Sequence, residues 1–202
     1  MTQTTLALYN QALILCGAST MASELEDTVN GRAVRGVADI ARQSIHTECQ
    51  WTFSTTRTTL ATVATTTIAW YYPEEGYVYT RPAGALRIWG MSDIYAHWRE
   101  EGEYLISDIA GLGAKWTFDH TTVGLWRPKF QAAFIDKLCS EISFTILNSE
   151  PKAQAFLTKY KRITLPDAMA EDSQTGTHQT VIDDEWLGAK FQNGGNPARS
   201  YG

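Results

Sequence analysis

The sequence is short of cysteine, of basic charge and of long apolar runs, and each shortage removes a class of protein. Its three cysteines, Cys16, Cys49 and Cys139, lie far apart with no C-x-x-C pair among them. That pattern suits free thiols in a reducing compartment and predicts no disulfide. Lys and Arg number 17 against 22 Asp and Glu, a formal charge of -5. Tight binding to a nucleic-acid backbone wants a clustered basic face, so the balance argues against it and leaves room only for brief contact with passing DNA. The opening MTQTTLALYNQALILCG carries no basic leader and meets Asn10 and Gln11 too soon for a signal peptide or a membrane span. The expectation is a soluble protein made in a cytoplasm, with no membrane partner.

Recognisable catalytic and cofactor motifs are missing too. The four histidines, His46, His97, His120 and His178, are scattered, and the nearest approach to metal-ligand spacing is His46 with Cys49. Two ligands do not make a zinc site, and no metal is expected. The GLG of residues 111–113 and the GG of 194–195 lack the Lys and Ser/Thr of a phosphate loop, and no G-x-S-x-G elbow occurs. The sequence therefore predicts no cofactor and no catalytic residue.

What it does contain is patterned. Leu6, Tyr9, Leu13 and Ile14 fall on one stripe of a helix over 4–16, stopped by Gly17. The linker ASTMASELEDTVNG leads to a second helix over 28–48 with Val37, Ile40, Ala41, Ser44 and Ile45 on its packed face. Arg32, Arg35 and Arg42 lie mostly off that stripe, where they suit ion pairs on a solvated face or a grip on phosphate or an acidic neighbour. After Cys49 the chain turns to Thr and aromatics. WTFSTTRTTLATVATTTIAWYY and the short runs after it, broken by Gly, Pro and Asp, predict five or six antiparallel strands between residues 51 and 122. Helical spacing returns in RPKFQAAFIDKLCSEISFTILN, where Phe130, Phe134, Leu138, Ile142 and Ile146 make an i, i+4 ladder behind Pro128. A fourth helix begins near Ser149 and Pro151, turns Ala153, Phe156, Leu157 and Tyr160 inward, and is expected to break or end at Leu165 and Pro166.

The order of helix pair, β insertion and helix pair predicts an α+β fold, a four-helix bundle-like α domain with an inserted antiparallel β module and an extended C-terminal arm. The expected bounds are 1–50 and 127–166 for the helical domain, 51–126 for the β module and 167–202 for the arm. The arm is polar and ends in the Gly and Asn-rich FQNGGNPARSYG, yet DDEWLGAKFQNGG within it carries Trp186, Leu187 and Phe191. A segment of this composition does not order itself alone, so those three side chains read as anchors for a groove on another chain.

One enzymatic alternative follows from the acidic residues. Glu74 with Glu75, and Glu100, Glu101 and Glu103 with Asp108, lie among aromatics able to stack on sugar rings, and a glycan hydrolase needs only two well-placed carboxylates. A host-directed binding module built on the aromatic sheet is a third reading.

Several stretches in one order resemble the head-to-tail adaptors of short-tailed bacteriophages, the tail tubular protein A family with its related DNA-plugging connectors. LILCGASTMASELED followed by the long helix and ECQWTFS is similar to the family's opening helix, turn, linker, second helix and Trp-x-Phe exit. YVYTRPAGALRIWGM resembles a family strand pair, REEGEYLISD its hairpin, RPKFQAAFIDKLCSEISFTIL its third helix, and YKRITLPDAMAEDSQTG with DEWLGAKF its fourth helix and Trp-containing tail. Pro166 and the AGA of residues 83–85 depart from the family pattern, the first where a helix usually continues and the second where an acidic residue is common. The resemblance implies a virion protein without catalysis: a ring, usually of twelve copies, between the portal protein and the tail nozzle protein, around the channel through which double-stranded DNA leaves. It implies that Trp186, Leu187 and Phe191 dock on the portal or a neighbouring subunit, and it leaves Arg32, Arg35 and Arg42 as candidates for the channel or for contacts between subunits.

Overall fold

A computed structural model of the chain describes residues 4–64 and 76–174. In sequence order it contains α1 (Thr5–Cys16), α2 (Val29–Glu48), seven strands, β1 (Thr55–Thr59), β2 (Thr62–Val63), β3 (Tyr77–Thr80), β4 (Ala85–Met91), β5 (Trp98–Glu101), β6 (Tyr104–Ser107) and β7 (Gly113–Phe118), then α3 (Pro128–Leu147), α4 (Glu150–Lys159) and α5 (Leu165–Ser173). The fold is α+β, with every strand pair antiparallel.

The helix ends follow local chemistry. The Thr4 hydroxyl accepts from the Ala7 N–H at 3.2 Å to open α1, and Gly17 closes it in the left-handed region at φ 80°. The Thr28 hydroxyl likewise caps α2 by accepting from Gly31 N–H at 3.1 Å. Pro128 starts α3 where its missing N–H costs nothing, and Asn148 ends it at φ 48°. Ser149 precedes α4 but makes no side-chain capping bond.

One core is helical. Phe130, Phe134, Leu138 and Ile142 are buried, with Ile146 partly so, and they run α3 down the middle, where it packs against α1, α2, α4 and α5. Trp51 joins this core, and its indole N–H donates to the Ile45 carbonyl at 2.8 Å, folding the exit of α2 back onto its last turn. The second core is smaller and lies between the sheets β1-β7-β4 and β2-β3-β6-β5, with Tyr79 and Leu105 from one meeting Ile88 and Ala114 from the other.

Several expectations are corrected. Ile14 is 62% exposed; Leu8 and Ala12 take the inward stripe of α1 beside Tyr9 and Leu13. Ile40 is 70% exposed; Ala41 and Ile45 are buried as expected, and Val34, Ala38 and His46 complete the buried face of α2 with them. Seven strands, not five or six, occur among the described residues. Of the break or end expected at Leu165 and Pro166, a break occurs, just before them, and the helix then resumes. The chain passes through a π turn at Tyr160–Thr164, closed by Leu165 N–H donating to the Tyr160 carbonyl, and Pro166 then sits in the first turn of α5, where no N–H is needed. Helix consequently runs to Ser173, past the expected boundary at 167. Trp186, Leu187 and Phe191 lie outside the described residues, as do Glu74, Glu75 and His178.

Candidate functional site

The three arginines of α2 are all spent within the chain, to different degrees. Arg42 grips Asp119 with both prongs, Nε to Oδ1 at 2.7 Å and NH2 to Oδ2 at 2.8 Å, while its NH1 donates to Asp39 Oδ1 at 2.7 Å. Asp119 follows the last residue of β7, so this fork clamps the β module to α2. Burial alone would raise the Asp119 carboxyl, but the hydrogen bonds from Arg42 and Gln43 outweigh it and hold it below the ordinary range. Arg35 fastens the loop before α2, its NH1 donating to the carbonyls of Glu24 at 2.8 Å and Glu26 at 2.7 Å. Arg32 pairs with Asp27 at 2.7 Å on open surface and is the member of the three nearest to solvent. The three do not converge on one place.

Carboxylates of the β module are engaged as well. Glu100 pairs with Arg81 and Glu101 with Arg99, and Asp108 accepts from the His97 backbone N–H at 3.0 Å. None of these carboxylates lines one of the larger concavities described on the surface.

His46 sits fully buried between Phe130, Phe53 and Trp126, with ring centroids 5.1, 5.8 and 6.2 Å away. Burial pushes its pKa down to about 4, against the opposing pull of Asp119. The ring is therefore neutral near pH 7 and fills the seam where the end of α2 meets the exit of the β module. Cys49, three residues on, is pushed up by burial to about 12. No group of three potential metal ligands occurs among the described residues, and all three cysteines are free thiols.

No known family model matches the chain, and no curated protein matches it.

Sequence reasoning missed two surface features. The connection between β4 and β5 raises Ile94 and Tyr95 into solvent, 85% and 78% exposed, while the outer face of α2 exposes Val29 and Ile40 with Gly36 between them. The other is a pair of cations, Arg57 and Lys115, brought opposite each other by the register of β1 and β7. Alternation within TTRTT and AKWTF placed each on a strand, but nothing local in the sequence shows which residue faces which.

Proposed function

We propose that the chain is a non-enzymatic structural adaptor of a phage virion, forming a ring between the portal protein and the tail nozzle protein and lining the channel through which DNA is ejected. The observation that carries this reading is the placement of uncovered apolar side chains on both parts of the molecule. Ile94 and Tyr95 crown a β connection, while Val29 and Ile40 share one helical stripe of α2 with Gly36, whose added β-carbon would meet no atom within 4 Å. Single exposed apolar residues are ordinary, but grouped ones on two separate elements suit a protein that meets more than one partner. The resemblance in the order of segments supports the same reading.

The charges fit this role. A chain of net charge -5 offers sliding DNA little to hold, and Arg42 and Arg35 are already occupied by Asp119 and by loop carbonyls. The glycan-hydrolase alternative draws less support, because Glu100 and Glu101 are paired with arginines instead of facing each other across a cleft.

The deciding experiment mixes the purified chain with portal protein of the same phage and images the product. Rings of the chain stacked on the portal are expected. A chain that stays monomeric both alone and with portal overturns the proposal. Deleting residues 177–202, which include Trp186, Leu187 and Phe191, should leave the helices folded and abolish docking on the portal.

A further inference from the structure

The two sheets leave open edges among the described residues at β1 and β4 on one and at β2 and β5 on the other. Two of these are poor templates for a further strand. β2 is two residues long, and β4 slips register against β7 at two places, which breaks the even row of its outer backbone groups. β1 and β5 keep an unbroken register with their neighbours. The Ser54 carbonyl accepts from Phe118 N–H at 3.0 Å and the Leu60 N–H donates to the Leu112 carbonyl at 2.9 Å. By alternation, the backbone groups of Thr55, Arg57 and Thr59 therefore face away from β7. The His97 carbonyl accepts from Asp108 N–H at 3.3 Å, which by the same alternation turns the backbone groups of Trp98 and Glu100 outward from β5. None of these outward N–H groups has a hydrogen-bond partner among the described residues.

The two edges carry opposite charge. Arg57 stands directly across from Lys115, where like charges repel, and it has no ion-pair partner among the described residues. β5 ends in Glu100 and Glu101, both exposed. Glu100 already pairs with Arg81, but a carboxylate has acceptor sites for a second cation. The edges also lie on opposite flanks. β1 runs into β2 through Leu60 and Ala61 alone, which stacks these two edges, and β5 is the strand farthest from β2 in its sheet. A molecule with complementary edges on opposite flanks meets its copies head to tail, and such contacts build a ring when the rotation closes.

We propose that β1 of one copy pairs antiparallel with β5 of the next, joining the three-stranded sheet of one to the four-stranded sheet of the other. Arg57 then lies opposite Glu100, and Thr59 opposite Trp98. Glu100 completes a row with Arg57 and Lys115 and relieves the repulsion between them. In this register the connection entering β5, with exposed Ile94 and Tyr95, comes to the Thr59 end of β1. A concavity of about 560 Å³ lined in part by Thr58, Thr59 and Met91 lies there to receive them. The pairing rests on the adaptor reading only in taking copies of the chain to assemble side by side.

Disulfide trapping in the full-length chain tests it. The register sets Thr58 opposite Arg99, both exposed. Chains carrying Thr58→Cys are mixed with chains carrying Arg99→Cys, with and without portal protein of the same phage, oxidised with copper phenanthroline and separated on a gel without reductant. Mixed dimers are expected, while neither variant alone should exceed the native chain with its three free thiols. A chain bearing both substitutions should give a ladder of oligomers, because the two positions lie on opposite flanks of one molecule. Arg57→Glu in the first chain, or Glu100→Arg in the second, should lower the yield roughly fivefold, and the two together should restore it. Circular dichroism checks that each variant is folded, and Thr56→Cys with Glu101→Cys, the next pair in the register, replaces any that is not. Absence of mixed dimers from both pairs overturns the pairing, whether or not rings form on the portal. Equal linking by the Thr58→Cys chain alone, which would mean a symmetric contact, overturns it too, as does a yield indifferent to the charge changes. Rings on the portal without the link leave the adaptor reading standing, and linked chains that never dock on the portal count against that reading alone.

Discussion

Asn10 clasps Met21 by both backbone groups: its Nδ2 donates to the Met21 carbonyl at 2.8 Å, and its Oδ1 accepts from the Met21 N–H at 2.7 Å. A side-chain amide from the middle of α1 thus stands in for a strand partner and fixes the loop that leads to α2, with Met21 buried in the helical core. Asn10→Ala removes both bonds and leaves two backbone groups to find water. A loss of about 2 kcal/mol in unfolding free energy is expected by denaturant titration, with little change in helix content.

The same loop makes two glycines of α2 behave oppositely. A β-carbon at Gly31 would lie 2.4 Å from the Glu26 carbonyl oxygen, which Arg35 holds in place, so Gly31→Ala forces the loop to move and should cost about 1–3 kcal/mol. Gly36 lies in the same helix with open space where its β-carbon would be. Gly36→Ala should stabilise the isolated chain by about 0.5–1 kcal/mol. Thermal unfolding of the two variants side by side checks the contrast, and a matching sign in both would contradict it.

Phe134 is buried against Tyr9 and Trp126, with ring centroids 6.4 and 5.2 Å away. Phe134→Ala should lower unfolding free energy by about 3–5 kcal/mol, because the two surrounding rings belong to different segments and do not collapse into the space together. Equilibrium denaturation measures it, and a loss under 1 kcal/mol would show that the ring is not held as described.

How much of this was legible beforehand depends on how much of each pattern is local. The α3 ladder was readable because Phe130, Phe134, Leu138 and Ile142 repeat at i, i+4 and all face one core. In α1 most side chains are apolar, so spacing alone could not choose between Leu8 and Ile14 for the inside. In α2 the choice went against hydrophobicity, with Ile40 outside and His46 inside, because the aromatic cage that accepts His46 is supplied by Phe53, Trp126 and Phe130 from later segments. Pro166 signalled a break or an end, and the helix breaks at a π turn just before it and resumes with Pro166 in its first turn. The Arg57–Lys115 pair depends on a register between strands more than fifty residues apart, and the Arg42–Asp119 fork joins a helix to the far end of the β module. Such relations arise only on folding.

His46 should govern the acid side of the stability curve. Its ordinary pKa of 6.5 falls to about 4 in the folded chain, chiefly through burial, with Asp119 and the His120 backbone opposing the fall and the charge of Arg42 adding to it. The unfolded chain therefore binds a proton at a pH where the folded chain does not, and stability rises with pH between the two values. The His46 contribution is fully present above about pH 6.5 and is lost as pH falls toward about 4, a change on the order of 3 kcal/mol. The Asp119 carboxylate, held below its usual range by Arg42 and Gln43, adds a further loss only at lower pH, as it protonates in the unfolded chain first. Denaturant titrations at pH 7, 5.5 and 4 should show the fall in the native sequence. His46→Leu, which keeps an apolar group of similar size in the cage, should flatten the curve across that interval while leaving the steeper loss below it. A native curve already flat from pH 7 to 4 would mean that the imidazole is protonated as readily inside the cage as outside, and that the aromatic seam does not exclude charge.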